Sequence, residues 1–124
     1  ENSGGDSRRV RHELIHVEQI YATHRAFAAR LQDETVVTWG YRPEGGDSTS
    51  VQHRLKSVHH IVASSRAFVA ILADGSVVTW GEAHAGGDCS RVYHRLKGVQ
   101  EIRATTLAFC ALLADGSAVT WGEP

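Results

Sequence analysis

The sequence repeats with a period of 41 residues over its whole length, and this periodicity constrains the fold more than any other feature. Trp39, Trp80 and Trp121 lie 41 residues apart, and no insertion or deletion separates the copies. The same spacing relates four further series: Phe27, Phe68 and Phe109; Leu14, Leu55 and Leu96; Ile20, Ile61 and Ile102; and the Gly-Gly-Asp tripeptides at 4–6, 45–47 and 86–88. The chain is therefore one repeat domain with copies at about 1–41, 42–82 and 83–123.

The composition is that of an ordinary globular chain, with 42% hydrophobic residues, 22% charged residues and a formal net charge of −1. Charges of both signs are interspersed and leave no broad footprint for nucleic acid or an anionic membrane, so we expect neither as a partner. No apolar run approaches the roughly 20 residues of a spanning helix, and the first residues are too polar for a signal peptide. The chain contains no Met, not even at position 1, so we expect a fragment or a processed product.

Each copy resembles a short helical turn followed by three β-strands, most clearly in the middle of the chain. Asp47-Ser48 is a candidate N-cap, and Val51, Leu55 and Val58 follow at i, i+4 and i+7, which predicts a turn with one apolar stripe. The apolar, β-branched-rich runs that come next predict strands at 58–63, 67–73 and 76–81.

The last two strands of a copy form a predicted hairpin around Asp-Gly, at Asp74-Gly75 and Asp115-Gly116. This dipeptide between apolar runs predicts a type I′ turn with positive φ at both residues. Gly75 and Gly116 are therefore structural positions. Because the hairpin is apolar on both faces, we expect it to be packed on two sides.

The first copy departs from this plan at its hairpin. Asp33-Glu34-Thr35 stands where the other copies have Asp-Gly-Ser, and Glu tolerates positive φ poorly. Arg30 and Gln32 also replace the apolar Ile71 and Ala73. A terminal or locally opened unit would show such changes, since end repeats are often atypical. Random divergence of one copy is the alternative explanation.

The second and third copies share a pattern that ends in Asp-Gly…Trp-Gly and resembles the regulator of chromosome condensation (RCC-type) repeat family. The matching residues are Val58, Ile61, Ala63, Ala70, Asp74, Gly75, Val77, Trp80 and Gly81, and then Val99, Ile102, Ala104, Ala111, Asp115, Gly116, Trp121 and Gly122. The resemblance covers essentially the whole chain and looks closest to short-repeat arrays in proteins similar to large HECT-type ubiquitin ligases. The family's Ala-Gly-x-x-His is Ala63-Ser64-x-x-Ala67 here, and Gly-Gly-Asp replaces its Gly-x-Leu-Gly loop.

The resemblance implies an all-β architecture of propeller blades, usually seven, which serve as an interaction surface. Nucleotide exchange and photoreception, known in other members, are not supported, because the inserted loop and the Gly-Trp-Arg-His-Thr motif are missing. Propellers close with about four to eight blades, so three units form a partial propeller that needs further repeats or a second copy. Two trios would make a six-bladed ring. A β-trefoil, in which three units of about 40 residues close alone, is the alternative fold.

Repetition removes most candidates for catalysis or metal binding. His12, His53 and His94 recur on the helical turn and could bind a metal around a threefold axis, but exposed histidines beside basic neighbours explain the series better. His59-His60 does not recur, and strand alternation predicts that its two rings point to opposite faces. No nucleophile elbow, phosphate-binding loop or Cys-His arrangement is present. We therefore expect no enzymatic activity, no cofactor and no metal.

The tryptophans Trp39, Trp80 and Trp121 have two interpretations. They either seal each hairpin beside a Gly or line a shared aromatic surface that stacks a ligand, and the family's Trp at this position is a packing residue. Recognition is expected where the copies differ, in the loop after each Trp-Gly. The candidate binding residues in these loops are Tyr41, Arg42, Glu44, Glu82 and His84.

The two cysteines stand at different positions of the repeat, and neither recurs. A disulfide-stapled secreted scaffold would pair equivalent positions, so we expect free thiols in a reducing compartment, cytoplasmic or nuclear. Cys110 replaces Ala28 and Val69 of the other copies, which predicts a small buried side chain.

Three hypotheses for the function remain. The first is a non-catalytic protein-interaction module, whose most specific form is the recognition part of a ubiquitin-ligase-like protein. The second is a self-contained threefold β protein that binds a carbohydrate or another small ligand. The third is a repeat array with a purely structural role. The sequence does not identify the partner.

Overall fold

The computed structural model describes residues 16–123, which form nine β-strands and four short 3-10 helices. The strands are β1 (Val17–Ala22), β2 (Ala26–Leu31), β3 (Val36–Gly40), β4 (Val58–Ala63), β5 (Ala67–Leu72), β6 (Val77–Gly81), β7 (Val99–Ala104), β8 (Ala108–Leu113) and β9 (Ala118–Gly122). The 3-10 helices lie between the sheets, at Arg42–Glu44, Thr49–Arg54, Ala83–Ala85 and Tyr93–Arg95. No helix in this part of the chain is long and apolar enough to cross a membrane.

Each copy folds into its own antiparallel sheet, with the strands in the orders β1-β2-β3, β4-β5-β6 and β7-β8-β9. The first strands of neighbouring sheets approach one another, so each sheet is a blade with its first strand innermost. We number the blades 1 to 3 in chain order. The expected partial propeller is confirmed. The β-trefoil alternative is wrong, because the sheets stay separate and each pairs only its own three strands.

Blades stack through two faces, a leading face towards the preceding blade and a trailing face towards the following one. The core between blades 1 and 2 joins Ala28 and Val36, on the trailing face of blade 1, to the leading face of blade 2. The buried residues on that leading face are Leu55, Val58, Ile61, Phe68, Ala70, Val78 and Trp80. The core between blades 2 and 3 joins Val69, Ile71 and Val77, on the trailing face of blade 2, to the leading face of blade 3. The buried residues on that leading face are Leu96, Val99, Ile102, Phe109, Ala111, Val119 and Trp121. Each large aliphatic or aromatic side chain buried here contributes about 1.5–3 kcal/mol, so the stability of a blade depends on its neighbours.

The hairpin of the middle copy lies where the sequence predicts it, but its turn differs from the prediction. Both strands are almost wholly buried, which confirms packing on two sides. Only Gly75 has positive φ, at +84°, and its N–H donates to the carbonyl of Leu72 at 2.9 Å. This is a type I turn followed by a left-handed Gly. Asp74 has negative φ, and its carboxylate accepts hydrogen bonds from the N–H and the hydroxyl of Ser76, at 2.9 and 2.6 Å.

The predicted helical turn is the 3-10 helix Thr49–Arg54, and within the predicted cap Asp47-Ser48 it is the Asp47 carboxylate that accepts a hydrogen bond from the N–H of Thr49, at 2.9 Å. Ser48 occupies the N-cap position without a side-chain capping bond. Its hydroxyl instead lies 2.8 Å from that of Thr38 and accepts a hydrogen bond from Gln52 at 2.8 Å. Leu55, which follows the helix, is buried in the core between blades 1 and 2, as its place in the apolar stripe predicts.

The three strands of blade 1 form the same sheet as those of the other blades, and this blade is the first of the described stack, so its departures accompany a terminal unit and not a locally opened one. Phe27 pairs with Trp39 as Phe68 pairs with Trp80. Glu34 adopts φ +68° at the position where the other blades have Gly. Arg30 is accommodated because its guanidinium pairs with Glu18 at 3.1 Å and donates to the carbonyl of Val58 at 3.4 Å.

The cysteines are both free, as expected, but their burial differs from the prediction for Cys110. Cys89 is buried and Cys110 is exposed. Ala28 and Val69, which Cys110 replaces, are covered by the blade that follows them. Within residues 16–123 no blade follows blade 3, and its trailing face therefore lies open.

Candidate functional site

The variable loops lie at one edge of the blades, together with the turns that join the first and second strands. Main-chain hydrogen bonds hold the two together: the N–H of Tyr41 donates to Arg25 at 2.8 Å, and that of Glu82 donates to Arg66 at 2.9 Å. The hydroxyl of Thr23 also donates to the carbonyl of Glu44, at 3.0 Å. We call this edge, residues 23–25, 41–44, 64–66 and 82–85, the linker rim.

A charged network runs across the linker rim from blade 1 to blade 2. Its centre is the Glu44 carboxylate, whose side chain is only 5% exposed. Glu44 Oε2 lies 3.0 Å from Arg25 Nη2 and 3.9 Å from Arg66 Nε. Arg25 also stacks over the ring of Tyr41, 4.2 Å from its centroid, and Arg66 pairs with Glu82 at 3.4 Å. The structure thus brings three of the five candidate residues together, Tyr41, Glu44 and Glu82.

The network fixes two guanidinium groups while leaving them accessible. The side chains of Arg25 and Arg66 are 49% and 47% exposed. A buried carboxylate is costly unless it is paired, so Glu44 holds both cations beside it. The hydrogen bond to Glu44 raises the pKa of Arg25 above its ordinary value. Arginine presents a planar fork of donors that matches a carboxylate, and the exposed part of each fork faces solvent.

The other two candidates lie outside this network, and both are exposed. Arg42 lines a shallow groove with Pro43 and Trp80. His84 lines another groove with Arg91.

Arg25 and Arg66 are the functional candidates that the sequence analysis missed. They occupy the same register of the first two copies, where the third has Leu107, and Glu44 is likewise replaced by Ala85. A charge pair that is exchanged jointly for two apolar residues is a detectable signal in a repeat protein. The structure explains this signal, because Glu44 pairs with arginines from two different blades.

The histidines do not assemble into a site among residues 16–123. His53 and His94 are exposed on their 3-10 helices, and His12 lies outside the described residues, as do Leu14 and Gly4-Gly5-Asp6. No group of three or more His, Cys, Asp or Glu in the described chain could hold a metal ion. His59 and His60 are both exposed, and a β-bulge shifts the register between Val58 and His60. That their rings point to opposite faces stays a prediction.

The tryptophans are packing residues in the two blades that have a neighbour on the leading side. Trp80 and Trp121 are 3% and 7% exposed. Each stacks on the Phe paired with it, Phe68 or Phe109, with centroids 5.3 and 5.5 Å apart. Trp39 stacks on Phe27 in the same way and is half-buried. No shared aromatic surface is formed by these rings.

Comparison with known proteins identifies the fold. No family model matches the chain, and no curated protein matches it significantly. Among solved structures, the chain is similar to the CRINKLY WD40 ectodomain of the Arabidopsis thaliana receptor kinase ACR4, with a TM-score of 0.58 and 20% sequence identity. The match covers 86% of this chain and 40% of the ectodomain. The entire ectodomain of the Physcomitrella patens receptor kinase CR4 gives TM-score 0.57 and 19% identity, with coverages of 86% and 30%.

The computationally designed Ika4 protein is also similar, with TM-score 0.51, 17% identity, and 87% of this chain covering 66% of that chain. At these identities the similarity concerns the fold alone, and it agrees with a partial propeller of three blades. The chain spans well under half of either ectodomain.

Proposed function

We propose that this chain is a non-catalytic protein-interaction module that binds its partner at the linker rim. The observation that carries the proposal is the pair of half-exposed guanidiniums, Arg25 and Arg66, held by one buried carboxylate, Glu44. Arg and Tyr are enriched in protein interfaces, and a prepositioned Arg fork favours a carboxylate. The partner segment therefore carries Asp or Glu side chains. Receptor-kinase ectodomains with similar blades support an interaction role.

The finer form of the proposal is an RCC-type module that serves as the substrate- or partner-recognition part of a ubiquitin-ligase-like protein. The repeated Asp-Gly…Trp-Gly frame supports this placement. The free thiols of Cys89 and Cys110 support a reducing compartment, cytoplasmic or nuclear. Any ligase chemistry would belong to a separate catalytic domain.

The test is selection of binding peptides from a random display library on the folded chain. We expect the selected peptides to be enriched in Asp and Glu. Charge reversal at Arg25 and Arg66 should weaken their binding at least about 100-fold, since truncating one partner of a charge pair costs about 2–5 kcal/mol. Loss of binding should be measured by titration calorimetry at low and physiological salt.

Two further variants make the outcome specific. Arg95→Glu with Lys97→Glu makes the same change in net charge at exposed positions outside the linker rim, and binding should persist. Because charge reversal leaves Glu44 without a cation, Glu44→Ala with Arg25→Leu and Arg66→Leu provides a second rim variant without a buried charge, and it should also fail to bind. Peptides that bind this variant normally would contradict the proposal. So would a saturable change in Trp fluorescence on titration with sugars and none with peptides.

A further inference from the structure

The trailing face of blade 3 is an open sheet surface. Cys110, Leu112, Ala118 and Thr120 are exposed along β8 and β9, and Leu112 is 43% exposed. The residues at the first three of these positions in blade 2 are Val69, Ile71 and Val77, and they are 0%, 7% and 0% exposed. In the repeat, this face is therefore one that the leading face of another blade covers.

The leading face of blade 1 shows the complementary exposure. Ile20 on β1 is 56% exposed, whereas its counterparts Ile61 and Ile102 are 1% and 4% exposed in the cores between blades. Phe27 and Trp39 are half-buried, although Phe68 and Trp80 are buried. Among residues 16–123 the exposed large hydrophobic side chains are Ile20, Tyr93 and Leu112. Two of these three thus mark the opposite ends of the stack.

Ile20 and Leu112 occupy positions that share one core at the junction of blades 2 and 3. At the junction of blades 2 and 3, the residue in the register of Leu112 is Ile71, and the residue in the register of Ile20 is Ile102. Both belong to the same buried cluster. The open faces of blades 3 and 1 are therefore the two halves of a junction that blades 2 and 3 already form.

We propose that the trailing face of blade 3 binds the leading face of blade 1 of a second copy of this chain. The contact is head-to-tail, so two chains can make it twice and close a ring of six blades. Six lies within the range of about four to eight blades in which propellers close, and a head-to-tail contact that closes gives a ring rather than a filament. This proposal is independent of the partner at the linker rim.

The test is the mass of the 124-residue chain in solution, measured by light scattering after size exclusion and by sedimentation velocity. We expect a dimer that does not grow with concentration. Leu112→Asp and Ile20→Asp should each weaken it by about 100-fold or more, because a carboxylate would enter an apolar junction without a partner. Tyr93→Ser is the matched control, since Tyr93 is the third exposed large side chain and contacts Arg54 within its own chain. It should remain a dimer.

Mixing the two Asp variants tests the head-to-tail geometry. Each variant keeps one intact face, so the mixture should regain a dimer through one junction, while each variant alone stays monomeric. Thiol labelling reports on the same surface: Cys110 should be protected in the wild-type dimer and react in the Leu112→Asp monomer, with Cys89 buried in both.

Three outcomes would overturn the proposal. A wild-type monomer with a reactive Cys110 would show that a second copy does not cover this face, which would then belong against a further blade of the same polypeptide. A dimer that Leu112→Asp breaks and Ile20→Asp does not would be face-to-face. Masses that increase without limit would show an open filament. Far-ultraviolet dichroism and a cooperative melt must show that each variant is folded, and these substitutions fall on exposed positions.

Discussion

The indole nitrogen of Trp80 in blade 2 donates a hydrogen bond to the carbonyl oxygen of Gly45, 3.2 Å away in the linker that follows blade 1. Trp121 makes the equivalent bond to Gly86 at 3.0 Å. Both glycines have left-handed φ values, +108° and +100°, and pack directly against the Phe that stacks on the same Trp. The linker, the Trp and the Phe therefore form one unit at each junction, which explains why all three recur in every copy.

Gly45→Ala should strongly destabilise the chain. A methyl group there would lie 2.4 Å from Phe68 Cδ2, and the backbone would still need φ +108°. Left-handed strain costs about 1–2 kcal/mol and overpacking about 1–3 kcal/mol, so we expect a loss of about 2–5 kcal/mol in urea unfolding. Gly116→Ala is the control, because φ is +89° and the methyl would meet nothing within 4 Å. Equal losses for the two variants would contradict this account.

Glu34→Gly should stabilise blade 1. Glu34 holds φ +68° in the turn where blades 2 and 3 have Gly75 and Gly116. Relief of left-handed strain is worth about 1–2 kcal/mol, and the greater freedom of Gly in the unfolded chain offsets part of it, which leaves a gain of about 0.5–1 kcal/mol. Gln32→Gly, two residues earlier in the same turn, has no positive φ to relieve. It should lower the unfolding free energy in the same urea titration. If Gln32→Gly also raised the unfolding free energy, relief of strain at Glu34 would not explain the effect of Glu34→Gly.

The hairpin aspartates should make stability depend on acid pH. The hydroxyl of Thr35, Ser76 or Ser117 donates to the adjacent carboxylate and lowers the pKa of Asp33, Asp74 and Asp115. A folded-state pKa below the unfolded value of about 3.9 means that the ionised form stabilises the fold above that pH. The contribution is lost as pH falls through the lower folded-state pKa.

Replacing all three aspartates by Asn should therefore flatten the dependence of unfolding free energy on pH below about pH 5. Thermal or urea unfolding of both proteins between pH 5 and pH 2.5 measures the two slopes. Parallel curves would show that these turns do not carry the acid dependence.

The sequence predicts what depends on local pattern. The repeat frame places β4 at Val58–Ala63 and β6 within one residue of its observed start, and of the two interpretations of the tryptophans the packing one holds for Trp80 and Trp121. Features that depend on pairing between strands were missed, as with the bulge beside His60, which shifts the strand register. Features that depend on the neighbouring blade were missed as well. Cys110 is exposed because no blade follows it among the described residues.

The linker rim illustrates the same limit. Variability between copies points to Tyr41, Glu44 and Glu82, because recognition tends to lie where repeats differ. Their arrangement depends on Arg25 and Arg66, which belong to the turns of two different blades and lie 41 residues apart in the chain. Only the folded stack brings both guanidiniums to one carboxylate.

The Glu44 network should behave as a buried charge that needs its cations. Arg25→Leu with Arg66→Leu leaves the carboxylate without a counter-ion, and removing the partners of a buried charge costs about 3–5 kcal/mol. Adding Glu44→Ala should recover most of this loss, because the junction of blades 2 and 3 is already apolar there, with buried Ala85 and partly buried Leu107 in its core. Urea unfolding of wild type, double and triple variants gives the comparison. If the triple variant is less stable than the double, Glu44 contributes through packing, and the guanidiniums are not held by its charge.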